Sequence, residues 1–174
     1  MKIGGIDPTT LPTEVFLVLP RGDQEIVFRA QPVVSMDEFE AMCPMPKAPG
    51  KMTRDGWVPL KEDPTYQQLL SAYSQTRFGY MVLKSLEQSR IEWDTVKAGD
   101  PSTWRNWSAD LRNGGLSDIE ITRVMNLVLE ANCLDDAKLK KAREVFLAGQ
   151  EAKPTSSGHP TELPSTPSGV PASA

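Results

Sequence analysis

Histidine occurs once in these 174 residues and cysteine twice, and each scarcity closes off chemistry. His159 lies in a Pro/Ser-rich tail with no thiol beside it, so neither a metal centre nor a histidine-activated nucleophile is expected. Cys43 and Cys133 stand far apart and neither belongs to a C-x-x-C motif, so both read as free thiols in a reducing compartment. The longest apolar runs, VFLVL and YMVL, fall far short of the roughly 18 residues that a membrane span requires. The opening MKIGGIDPTT lacks the apolar core of a secretory signal. A net charge of −4 argues against general adsorption to nucleic acid or anionic lipid. No phosphate-cradling loop is present, because Gly114-Gly115 is followed by neither Lys nor a hydroxyl residue in the required place. The acid pairs Glu38/Glu40 and Asp135/Asp136 sit where helices should begin, and capping explains them better than acid–base catalysis. No cofactor is expected.

What the chain does contain is an α+β pattern, mainly α: an N-terminal β-hairpin, one long central helix, a C-terminal helical bundle and a disordered tail. The central stretch DPTYQQLLSAYSQTRFGYMVLKSL (63–86) organises the rest. Asp63-Pro64 is a helix-start signal, since the carboxylate can accept from first-turn N–H groups and proline needs no partner there. Tyr66, Leu69, Leu70 and Tyr73 form one stripe, and from Phe78 the sequence is apolar on nearly every side, as in a helix entering a core. Gly79 in mid-helix costs about 1 kcal/mol relative to alanine, which predicts close approach by another element.

Upstream, residues 13–34 predict a hairpin turning at Pro20-Arg21-Gly22-Asp23. Its second strand alternates, with Ile26, Phe28 and Ala30 opposed to Val27, Arg29 and Gln31. The first strand, Val15 to Leu19, is apolar throughout and reads as buried on both faces. The long helix, another strand or a second subunit is expected to cover the hairpin. Arg21-Gly22-Asp23 matches an integrin-binding tripeptide, but a polar turn is the better reading. Ser35 and Glu38 have capping-box spacing for a short helix over 35–42.

The segment 43–60 holds Pro44, Pro46, Pro49 and Pro59 and reads as a Pro-rich loop without long regular structure. Met42, Met45, Met52 and Trp57 give it more apolar surface than a linker needs. Those side chains either fold back onto the body or form an adaptable partner-binding surface.

Downstream, Asp100-Pro101 opens a helix carrying Trp104, Trp107 and Leu111, and Asn113-Gly114-Gly115 ends it. Trp93, Trp104 and Trp107 read as core rather than as a ligand clamp. Ser117 and Glu120 start a helix with Ile121, Val124, Met125, Val128 and Leu129 inward, while Leu127 lies off that stripe and joins the candidate partner-binding residues. A last helix is expected to turn Leu139, Ala142, Phe146 and Leu147 inward. Residues 1–151 thus read as one globular domain, with helices over 63–151. Of the 23 residues at 152–174, five are Pro, five Ser, three Thr and two Gly, a composition that predicts disorder.

The helices after residue 100, with Lys138, Lys140, Lys141 and Arg143, also invite a helix-turn-helix reading. The Ser117–Ala131 helix is longer than that motif's scaffold helix, and Asp135, Asp136 and Glu144 intersperse the basic residues, so nucleic-acid binding ranks low.

The stretches LVLPRGDQEIVFRAQPVVSMDEFEAMCPMPKAPG, IEWDTVKAGDPSTWRNW, GGLSDIEITRVMNLVLEANCLDD and AREVFLAGQE, spanning most of residues 11–151, resemble the small tail assembly chaperones of long-tailed, siphophage-like bacteriophages. The resemblance implies a non-enzymatic protein of the infected host's cytoplasm. It would bind the tape-measure protein, keep it soluble, support tail tube assembly, with the tail tube protein as a further partner, and be absent from the finished virion. Self-association into a homo-oligomer is compatible with it, as is a longer frameshifted form. A structural component of the phage particle is the alternative, and a helix-turn-helix DNA-binding regulator the third.

Overall fold

A computed structural model describes residues 1–11, 13–54, 56–134 and 136–151, the last three without their side chains. The fold is α+β and mainly helical. Strands β1 (Val15–Arg21) and β2 (Gln24–Ala30) form one antiparallel hairpin, and β3 (Gly50–Thr53) and β4 (Gly56–Pro59) a second. The helices are α1 (Asp37–Met42), α2 (Pro64–Ser85), α3 (Trp107–Asn113), α4 (Asp118–Ala131) and α5 (Asp136–Glu151), with short 3₁₀ turns at Pro8–Thr10, Glu87–Ser89 and Pro101–Asn106. The second hairpin corrects the expectation of a loop over 43–60. Its four-residue strands fit between Pro49 and Pro59, so proline bounds regular structure here rather than forbidding it.

Helix α2 begins as its sequence requires, with Asp63 Oδ1 accepting from the Tyr66 N–H at 2.9 Å and Pro64 in the first turn. Its first half is largely solvated, and Leu69 is exposed. Gly79 to Val82, Ser85 and Leu86 are buried. The reason for Gly79 is direct, because a Cβ there would lie 2.6 Å from the Trp104 carbonyl oxygen. The 3₁₀ turn that carries Trp104 therefore crosses α2 with backbone against backbone. This turn replaces the first part of the helix expected after Asp100-Pro101, and α-helical geometry begins only at Trp107.

Trp104 is 1% exposed, and its indole N–H donates to the Lys97 carbonyl at 2.9 Å. Around it pack Phe39 and Tyr80, with Tyr73 against Phe39, at ring-centroid separations of 5.1 to 6.2 Å. Phe39 arrives on α1, whose start differs from the expected capping box. Ser35 Oγ accepts from the Asp37 N–H, while Glu38 turns away to accept from the Tyr80 hydroxyl at 3.0 Å and to pair with Lys84 at 2.7 Å.

Helix α4 has the expected capping box, Ser117 with Glu120, and buries Ile121, Val124, Leu127, Val128 and Ala131. Leu127 is 5% exposed, which corrects its assignment to an outward face. The apolar arc of α4 is wider than the template stripe, because the helix touches the first hairpin on one side and α2 and α3 on another. Within the chain it is α4, rather than α2 or a further strand, that chiefly covers the hairpin. One covered face also corrects the double burial expected of β1. Phe16 and Val18 are exposed, whereas Leu19 is buried and Val15 and Leu17 half-buried. In β2, Phe28 and Ala30 are buried and Ile26 half-buried, as its alternation indicates.

Polar groups close the seams. Asn132, just past α4, donates to Ser85 Oγ and accepts from the Val33 N–H, both at 2.8 Å, joining the end of α2 to the segment leaving β2. Asp110 on α3 is buried and accepts from Thr95 N, Thr95 Oγ1 and Val96 N at 2.7 to 3.1 Å.

The chain divides into two compact units at Asp136, and helix α5 belongs to the second almost entirely. On α5, Leu139, Phe146 and Leu147 are exposed and so is Ala142, which corrects their inward assignment. Leu139, Ala142 and Phe146 do share a stripe at i, i+3 and i+7, so the helical period is present, but it reports amphipathicity and not burial. The tail expected to be disordered, 152–174, lies outside the described residues, as do His159 and Asp135.

Gly79→Ala should lower stability by about 2 kcal/mol, since the overpacking strain against the Trp104 backbone outweighs the gain of about 1 kcal/mol in helix propensity. Denaturant unfolding measures it. An unchanged or raised midpoint would show that the crossing has room to spare.

Candidate partner-binding surfaces

Exposed large apolar side chains occur along much of the chain, and both hairpins carry some: Phe16, Val18 and Val27 on the first, Met52, Trp57 and Val58 on the second. In the second, Met52 pairs directly across from Trp57. Met52 is 76% and Trp57 62% exposed, so the pair forms one apolar patch on one face of the ribbon. The Trp57 ring lies over Gly50, where a Cβ would fall 2.5 Å from the indole. Glycine thus lets the ring lie flat along the ribbon. The Leu60 N–H donates to the Pro49 carbonyl at 2.6 Å, closing the base of this hairpin.

Met45 is also exposed in the segment before β3, and Met42 at the end of α1 is exposed at the margin. Of the five residues named from sequence, the structure therefore pairs Met52 with Trp57, leaves Met42 and Met45 at the surface, and removes Leu127 to the core.

The outer face of the first hairpin adds Phe16, Val18 and Val27, which sequence reasoning assigned to a buried strand or passed over. The Arg29 guanidinium covers part of the Phe16 ring at 5.5 Å and is held there by both oxygens of Glu14, each at 2.9 Å. The one available signal was the paired alternation in the two strands, which places Phe16, Val18 and Val27 on a common face once only one side is covered.

This hairpin is fastened to α4 through its turn. Arg21 donates through both terminal nitrogens to the two carboxylate oxygens of Glu120. Arg21 of the RGD tripeptide is thus committed to an internal ion pair. Glu120 also accepts from Ser117 N and Oγ, and with Arg21 as the largest influence its pKa falls from 4.5 to about 2. For Asp110, burial pulls the pKa upward, but hydrogen bonds from Thr95 and the neighbouring backbone overcome it and hold the group below the ordinary carboxylate value. Its acceptor sites are filled by structural donors, which makes Asp110 a loop clamp rather than a proton carrier.

Beside β2 lies a cleft of 270 Å³, lined by residues 26–28 and by Ile91, Trp93, Leu111 and Leu116. Glu92 and Asp94 flank it. Among the described residues, no group of three or more His, Cys, Asp or Glu side chains could hold a metal, and no helix is long and apolar enough to cross a membrane. Compared with family models, curated proteins and solved structures, the chain matches none.

Two outcomes follow. Leu127→Ala should cost about 3 kcal/mol as a core truncation, whereas Met52→Ser and Trp57→Ser should each stay within about 0.5 kcal/mol. Thermal unfolding compares them, and equal losses would mean that the second hairpin packs as core. Because the folded Glu120 pKa is depressed, its stabilisation is complete above pH 4.5 and fades as the pH falls towards about 2. Glu120→Gln should therefore flatten the acid limb of Tm against pH over that window. An acid limb identical to the parent's would show that the ion pair contributes nothing.

Proposed function

We propose that this chain is a non-enzymatic tail assembly chaperone of a long-tailed bacteriophage. It binds the tape-measure protein in the infected cell's cytoplasm, keeps it soluble and supports assembly of the tail tube around it. The resemblance across residues 11–151 supplies the identity of the client. The observation that carries the physical part is the Met52–Trp57 pair, held in solvent on a ribbon with its own hydrogen bonds.

A long helical client exposes apolar stripes that self-associate. A holding chaperone needs adaptable apolar contacts, each weak and many in total, rather than one deep pocket. Methionine suits that task, because its unbranched thioether adjusts to irregular surfaces, and tryptophan offers a large face with little entropy to lose. The exposed Phe16, Val18 and Val27 extend the available surface.

Co-expression with a tape-measure protein from a long-tailed phage tests this. The client's soluble fraction should rise and the two should co-purify, with Met52→Ser/Trp57→Ser losing most of the effect while remaining folded. Unchanged client solubility together with no co-purification would rule the chaperone reading out. Finding the chain in stoichiometric amount in purified virions would favour a structural component instead.

A further inference from the structure

The hairpin's second strand is a half-covered edge, and where its cover stops the 270 Å³ cleft begins. The two-residue turn pairs Arg21 with Gln24, and the register then places Leu19 opposite Ile26, Val18 opposite Val27 and Phe16 opposite Arg29. Arg29 does not spend its backbone groups on β1, since its N–H donates to Ser89 Oγ at 2.7 Å and its carbonyl accepts from the same hydroxyl at 2.9 Å. The Gln31 N–H likewise turns outward, to the Ser85 carbonyl at 2.9 Å. In an antiparallel ladder this outward orientation recurs at every second residue. Val27 and Glu25 therefore direct their N–H and C=O groups to the same side as Arg29, and there they meet no partner among the described residues. The segment 85–89 acts as a neighbour for residues 29–31 and ends before residue 27.

An edge with open backbone groups accepts another strand. Side chains on such a strand alternate between the two faces of the sheet. Those facing inward, on the side of Ile26 and Phe28, would enter the cleft over Leu111 and Leu116, with Ile91 and Trp93 as its walls. A volume of 270 Å³ has room for one or two aliphatic side chains. The charged side chains that line the cleft are all acidic, Glu92 and Asp94 together with Asp110, whose carboxylate is already taken up by Thr95 and Val96.

We propose that this cleft binds an extended peptide segment as a third strand along Glu25–Val27, with an aliphatic side chain of the segment filling the pocket over Leu111 and Leu116 and its basic neighbours facing Glu92 and Asp94. The site stands apart from the Met52–Trp57 surface and does not depend on the chaperone reading. Backbone pairing supplies the binding, the pocket selects an aliphatic residue, and the acids select its flanks.

The test titrates the ¹⁵N-labelled full chain with the capped peptide acetyl-Lys-Ile-Lys-Ile-Lys-amide, with its fully N-methylated analogue, and with a version carrying Glu in place of Lys. The parent peptide should shift the amides of Val27 and Gly114 and the Trp93 indole. N-methylation, which deletes the backbone donors, should weaken binding at least tenfold. The Glu peptide should bind several-fold more weakly, and Glu92→Lys, a change at an exposed position, should narrow that difference. Four results would overturn the proposal: no shifts at millimolar peptide, equal binding of the N-methylated peptide, shifts confined to Phe16 and Val18 or to the second hairpin, or concentration-dependent shifts of the cleft without peptide, which would give the edge to a second copy of this chain.

Discussion

The structure depends on the contact between two backbones at Gly79 and Trp104. A helix can approach another segment this closely only where it lacks a side chain, and α2 does so at one turn along its length. With Trp104 pinned there, its indole fills the centre of the aromatic cluster and reaches back to the Lys97 carbonyl, which fixes the connection between α2 and α3. Asp110 holds the same connection from the other side by filling its carboxylate with Thr95 and Val96. Other seams are closed by Asn132 between α4 and the ends of α2 and β2, Arg21 between the hairpin turn and the first turn of α4, Glu38 between α1 and α2, and Ser89 beside β2.

This arrangement explains why so much apolar side chain remains in water. The core lies between α2, α3, α4 and one face of the first hairpin, and it is complete without the second hairpin. A two-stranded ribbon has no core of its own. Whatever the second hairpin carries therefore stays accessible, and it carries Met52 and Trp57. The first hairpin has the same property on its outer face. Apolar surface of this kind is an aggregation hazard as long as nothing covers it.

Much of this was legible in the sequence. Asp63-Pro64, the Ser117–Glu120 box and the alternation of β2 are local signals, and local hydrogen bonding or one-sided burial decides each of them. Gly79 was legible as a close approach, though nothing in the sequence specified Trp104 as the partner. The failures share a cause. Leu127 and the apolar run of β1 were assigned by counting faces, and the number of covered faces depends on which elements dock, a long-range matter. Helix α4 has neighbours on two sides and β1 on one, the reverse of what each pattern taken alone implied. The short ribbon at 50–59 was obscured by its flanking prolines, which mark its ends. Arg21–Glu120 spans ninety-nine residues and has no sequence signature at all.

A core knotted at Gly79 and Trp104 holds the Met52–Trp57 ribbon outside itself. Hydrogen–deuterium exchange of the free protein, resolved to short segments, tests this most directly. Residues 79–86, 107–113 and 121–131 should exchange slowly and together, at rates set by global unfolding, while 50–59 exchanges orders of magnitude faster through local opening. Exchange in 50–59 as slow as in α4 would place the second hairpin inside the cooperative core and contradict the account.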